Sequence, residues 1–61
     1  MKYSELKKLL KSKGCYFYRD GTNHEIWYSP ITNKKFPVAR HNTQEVKLPT
    51  LKDILKQAGI Q

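Results

Sequence analysis

His24 follows a turn, Gly21-Thr22-Asn23, and opens an aromatic segment. That puts an imidazole, with an ordinary pKa of about 6.5, at a loop–strand junction where it can exchange a proton near neutral pH. Taken alone, a histidine is more often a surface residue or a satisfied core residue, and residue type does not decide between those roles and catalysis. The second histidine, His41, lies far along the chain, and with the single Cys15 the two lack the spacing of a zinc site. Cys15 has no partner for an internal disulfide and reads as a small apolar strand residue. The acidic residues do not cluster as Mg²⁺ ligands, so the expectation is a chain without metal or cofactor.

The remaining chemical feature is charge. Twelve Lys and Arg against five Asp and Glu give a formal +7 on 61 residues. Two readings are open: a surface for a polyanion, with nucleic acid the leading class, or lysines spread over helix faces for solubility. The distribution is uneven: residues 1–13 carry +4, 14–33 carry −1, 34–47 carry +3 and 48–61 carry +1. Basic groups thus flank the stretch that holds His24. Phosphates held by them would bring a nucleic-acid backbone near the imidazole, and Tyr16, Tyr18, Trp27 and Tyr28 are candidates for stacking on bases.

These residues need a scaffold, and the chain has room for one domain, spanning 1–61, with a small core. Ser4 to Lys13 reads as an amphipathic helix. Tyr3, Leu6, Leu9 and Leu10 lie on one face and Lys7, Lys8 and Lys11 on the other, with Ser4 as N-cap and Gly14 just past the end. Strands are predicted at 15–19, 24–29 and 35–40. The second places His24, Ile26 and Tyr28 on one face and Glu25, Trp27 and Ser29 on the other, and both faces are large and apolar. Pro37 assigns the third strand to an edge. Residues 41–49 are polar and irregular, with Val46 and Leu48 as anchors. A last helix then opens at Thr50, in a Thr-x-x-Asp capping box, and stops at Gly59.

The order α-β-β-β-α gives an α+β fold in which a three-stranded antiparallel sheet has both helices on one face, the arrangement of double-stranded-RNA-binding domains. Met1-Lys2-Tyr3-Ser4-Glu5 lacks the apolar core of a signal peptide. No apolar run approaches the roughly 20 residues that span a bilayer. The expectation is a cytoplasmic chain with no membrane segment.

Three stretches together resemble the HicA family of bacterial toxins, small mRNA interferases encoded beside HicB antitoxins. These are the opening helix from Tyr3-Ser4-Glu5-Leu6 to Gly14, the turn Gly21-Thr22-Asn23-His24, and the closing Leu48-Pro49-Thr50-Leu51-Lys52-Asp53-Ile54-Leu55-Lys56-Gln57-Ala58-Gly59-Ile60. The resemblance covers essentially the whole chain, and the closing stretch is its most specific part. The chain departs from the family pattern in three places. Asn23 intervenes before the histidine where many members have Gly-Ser-His, Ala39-Arg40-His41-Asn42 stands where many have Pro-His-Pro, and Pro49 replaces a common glycine.

The resemblance implies a ribonuclease in which His24 is the catalytic base. RNA supplies its own nucleophile, the 2′-hydroxyl, and a neutral imidazole can take its proton, a contribution of roughly 10²–10⁴-fold. Lys34, Lys35 and Arg40 are candidate phosphate contacts that would stabilise charge on the phosphoryl oxygens. Gly21, Thr22 and Asn23 would support the site, and His41 is a candidate acid. The implied partners are mRNA and a HicB-type antitoxin that masks the histidine face, to which a +7 surface would be drawn electrostatically. The competing reading is a non-catalytic double-stranded-RNA-binding module. That class places a dense lysine cluster at the start of its last helix, where this chain has only Lys52 beside Asp53.

Overall fold

The computed structural model describes residues 1–60. The elements are α1 (Tyr3–Ser12), β1 (Tyr16–Asp20), β2 (Glu25–Ser29), β3 (Lys34–Val38) and α2 (Leu48–Ala58), in the order expected from the sequence. The sheet is antiparallel with strand order β1-β2-β3. Pro37 therefore sits on an edge strand, opposite Ile26, where its missing N–H interrupts no outer ladder. The α+β arrangement follows from the sequence pattern.

One face of the sheet packs on the helices. Trp27, Ser29, Phe36 and Val38 are buried there with Tyr3, Leu6 and Leu10 of α1 and Ile54 and Ala58 of α2. Both faces of β2 looked apolar in sequence, and the structure buries the Glu25–Trp27–Ser29 face. Trp27 is 2% exposed and belongs to the core, so the expectation that it could stack on a base fails. Burying a side chain the size of Phe36 contributes about 1.5–3 kcal/mol, and the core owes most of its strength to a few such groups.

The helix ends differ from the local sequence signals. α1 starts one residue early, and Ser4 is not its N-cap. Its first free N–H groups are met from a distance, Tyr3 donating to the Gln44 carbonyl and Ser4 to that of Asn42, both at 3.0 Å. The Lys2 N–H donates to Glu5 Oε1 at 2.9 Å, which leaves no open amide for a serine cap to satisfy. α2 starts two residues before Thr50, with Lys47 as N-cap and Pro49 in the first turn, where proline's fixed φ suits a helix and its absent N–H costs nothing. Leu48, expected as an anchor, points outward from that first turn and is exposed; Val46 is the buried anchor of the loop.

Both helices stop in the same way. Gly14 and Gly59 take positive φ, 93° and 78°. Behind them Cys15 N–H returns to the Leu10 carbonyl and Ile60 N–H to that of Leu55, each closing the last turn. The β2–β3 turn then clamps the end of α2. The buried Ser29 hydroxyl donates to the Ala58 carbonyl at 2.6 Å and accepts from Ile31 N–H at 3.2 Å, while the Thr32 hydroxyl donates to the Gln57 carbonyl at 2.6 Å. No sequence signal marked Ser29 for this role.

Candidate functional site

His24 immediately precedes β2 and is exposed. The turn that holds it is tight: Gly21 N–H donates to the His24 carbonyl at 2.7 Å. A side chain at residue 21 would not fit, because a Cβ there would lie 2.8 Å from the His24 carbonyl oxygen and 3.2 Å from Ile26 Cδ1. Glycine is thus required by close approach of two backbones. Thr22 and Asn23 form the exposed tip of the turn.

Arg40, just beyond β3, reaches back across this turn. Its Nη2 donates to the Gly21 carbonyl at 2.5 Å and lies 3.7 Å from Asp20 Oδ1. Part of its hydrogen-bonding capacity thus holds the turn that carries His24, a positioning task that sequence reading did not assign to it. Guanidinium has five N–H donors in a planar fork, so the remaining donors stay available to an anion.

His24 lines a shallow cleft of about 130 Å³ at the end of the β2–β3 pair. Its walls are Pro37 and Ala39 from the β3 side, Thr50, Asp53, Ile54 and Gln57 from α2, and Tyr3 from α1. In the sequence, Asp53 reads only as part of a helix cap and Gln57 only as part of the closing stretch. They are joined by a 3.0 Å hydrogen bond from Gln57 Nε2 to Asp53 Oδ2, and only the packing of α2 against β3 brings them to the histidine. His41 does not line this cleft. A larger hollow of about 390 Å³ lies against α2, lined by Lys52, Leu55, Lys56, Gly59 and Ile60, and holds no acid or histidine.

The basic residues divide by environment. Lys34 and Lys35 are exposed on β3, and Lys35 Nζ stands 4.3 Å above the Tyr18 ring. Lys7, read from sequence as part of an outer basic face, is turned inward. Its Nζ lies 3.1 Å from Glu25 Oε1 and 2.6 Å from Asn42 Oδ1, and its side chain is 11% exposed. Glu25 also accepts from Trp27 Nε1 at 2.9 Å. Partial burial pushes the Glu25 carboxyl upward, but the Trp27 hydrogen bond, the Lys7 ammonium and the charge of Arg40 outweigh it and hold the group below its ordinary value. Lys7 is accordingly neutralised from within and unavailable to a phosphate.

Among the described residues, no three His, Cys, Asp or Glu side chains come together as a metal-ligand set. Among the same residues, no helix is long and apolar enough to cross a membrane.

The sequence is similar to two proteins of Photorhabdus laumondii subsp. laumondii. One, named probable mRNA interferase HicA 2, is 41% identical over 61 residues that cover the whole of both chains. The other, named probable mRNA interferase HicA 1, is 38% identical over 61 residues and covers 98% of this chain and all of the relative. No solved structure matches it significantly. The family model for the HicA toxin of bacterial toxin–antitoxin systems matches residues 3–60, a span that takes in the Gly21–His24 turn, the sheet and both helices, and the chain belongs to that family.

Proposed function

We propose that this chain, as one toxin domain over residues 1–61, is an mRNA interferase that cleaves RNA with His24 as general base, without a metal ion. The carrying observation is the exposed His24 on the wall of a cleft, held by a turn that tolerates only glycine at 21 and is tied by Arg40. The names of the Photorhabdus relatives support the same activity.

In this reading neutral His24 takes the proton of the 2′-hydroxyl, whose oxygen attacks the adjacent phosphorus. The 5′-oxygen of the next nucleotide leaves, and water or a protonated side chain gives it a proton. Arg40, tied to the Gly21 turn, supplies positive charge toward the phosphoryl oxygens, which carry more charge in the transition state than in the ground state. Lys34 and Lys35, in register with Ser29 and Tyr28 at the other end of β2, meet phosphates further along the strand. The substrate thereby brings the nucleophile and the protein brings a base and a field, so a shallow cleft suffices. The toxin acts in the cytoplasm and is held inactive by an acidic antitoxin of HicB type covering the histidine face.

The test is cleavage of a defined single-stranded RNA by the wild type and by His24→Ala, each with and without a chelator. The wild type cleaves in both conditions and His24→Ala does not. Full activity in His24→Ala overturns the assignment of the base, loss of wild-type activity in chelator overturns metal independence, and binding without cleavage by the wild type favours the RNA-binding module.

A further inference from the structure

The face of the sheet turned away from the helices carries three tyrosines. Tyr16 and Tyr28 are cross-strand partners, with ring centroids 5.4 Å apart and planes tilted by 44°. Tyr18 sits at a bulge between Phe17 and Arg19, where β1 gains a residue relative to β2, and its ring reaches across β2 to Lys35 on β3. Tyr16 is 49% exposed and Tyr18 46%, large values for aromatic side chains in a chain with so small a core. The hydroxyl of Tyr28 donates to Asn33 Oδ1 at 2.8 Å, which fixes that ring at the far end of β2 from His24.

The charge on this face has one sign. Arg19 is in register with Ile26, and Lys35 with Tyr28. The acids lie elsewhere: Glu25 faces Lys7, Asp20 faces Arg40, Glu5 accepts from the Lys2 amide, Glu45 meets the N-terminal amine and Asp53 holds Gln57. A carpet of aromatic rings with cations and no carboxylate suits unpaired bases, whose π faces stack on tyrosine while the phosphates meet Arg and Lys.

We propose that Tyr16, Tyr18 and Tyr28, with Arg19 and Lys35, form a stacking platform for single-stranded RNA that feeds the strand toward His24. The proposal rests on the ribonuclease reading and extends it by naming the unpaired strand as the substrate form. Tyr28 is four residues from His24 along β2, about 13 Å at the usual strand rise. At roughly 3.4 Å per stacked base, that distance corresponds to a few nucleotides. A duplex has no exposed base faces to offer this surface and gains nothing from it.

The experiment is carried out in the His24→Ala background, so that the probe survives. Binding of a labelled 12-nucleotide oligouridine and of a 12-base-pair RNA duplex is measured at several salt concentrations. Tyr16→Leu/Tyr18→Leu keeps apolar bulk but removes two π faces, and it should weaken oligouridine binding roughly tenfold or more while leaving duplex binding unchanged. Tyr16→Trp/Tyr18→Trp should strengthen it, a gain that a folding defect cannot mimic. Lys35→Gln should lower the salt slope by about 1. Equal binding of oligouridine by all the tyrosine variants overturns the platform. So does a loss of antitoxin capture by the leucine variant with RNA binding intact, because the face would then be a protein-docking surface. Cleavage by the wild-type protein is scored separately: if it fails while the tyrosines still govern oligouridine binding, the platform stands and the ribonuclease reading falls.

Discussion

Replacing Glu25 with Gln tests whether the Lys7–Glu25–Trp27 cluster holds α1 to the sheet. The amide keeps the shape and can still accept from Trp27 Nε1, but it removes the anion facing Lys7 at 3.1 Å. A hydrogen bond to a charged group is worth about 1.5–3 kcal/mol when its partners are shielded from water. Here the Glu25 side chain is 21% exposed and Lys7 keeps Asn42, so a loss of about 1–2 kcal/mol is expected. For a domain of this size that lowers Tm by roughly 5–15 °C. The pH dependence has a definite sign. The folded-state pKa of Glu25 lies below its ordinary 4.5, so its contribution is fully present above that value and is lost as pH falls through the folded pKa. Thermal melts of the wild type and Glu25→Gln should therefore differ at pH 7 and converge in acid. Lys7→Met, alone and combined with Glu25→Gln, gives the coupling directly. A difference at pH 7 within roughly 0.5 kcal/mol, the scatter of non-interacting sites, would refute the cluster's role, as would a gap that persists undiminished in acid.

Two further outcomes are expected. Ser29→Ala leaves the Ala58 carbonyl and the Ile31 N–H without their partner, and should cost about 1–3 kcal/mol in denaturant unfolding; an unchanged midpoint would mean that water replaces the hydroxyl. Gly21→Ala forces its Cβ against the His24 carbonyl, and should cut the cleavage rate by about 10–100-fold while Tm moves by only a few degrees, as kinetics and melting on the same sample would show.

The element order and the two glycine stops could be read from the sequence because they depend on periodicity and on the left-handed conformation, both of which are local. The start of α1 could not. Its caps are carbonyls of residues 42 and 44, some forty positions away, and Ser4 was a convincing local alternative. Lys7 misled for a different reason. A long aliphatic stem lets a lysine on the border of a helix turn either way, and the carboxylate that decides the direction belongs to β2. His24 could be identified as a candidate from its turn and from the family resemblance. Its surroundings could not, because Asp53, Gln57 and Tyr3 reach the cleft only through tertiary packing. The buried face of β2 was equally undecidable from alternation alone, and with it the fate of Trp27.

The cleft has walls from both ends of the chain, Tyr3 at one and Thr50 to Gln57 at the other. During synthesis the first helix emerges long before the carbonyls that cap it and the helix that packs beneath β3. A nascent chain bearing His24 therefore has the imidazole but no complete cleft until α2 has emerged and packed. Contacts such as Tyr3 N–H to the Gln44 carbonyl are of this long-range kind, which slows folding relative to helical proteins of equal length. A chain truncated before α2 would keep His24 and its turn but lack four of the eight residues that line the cleft.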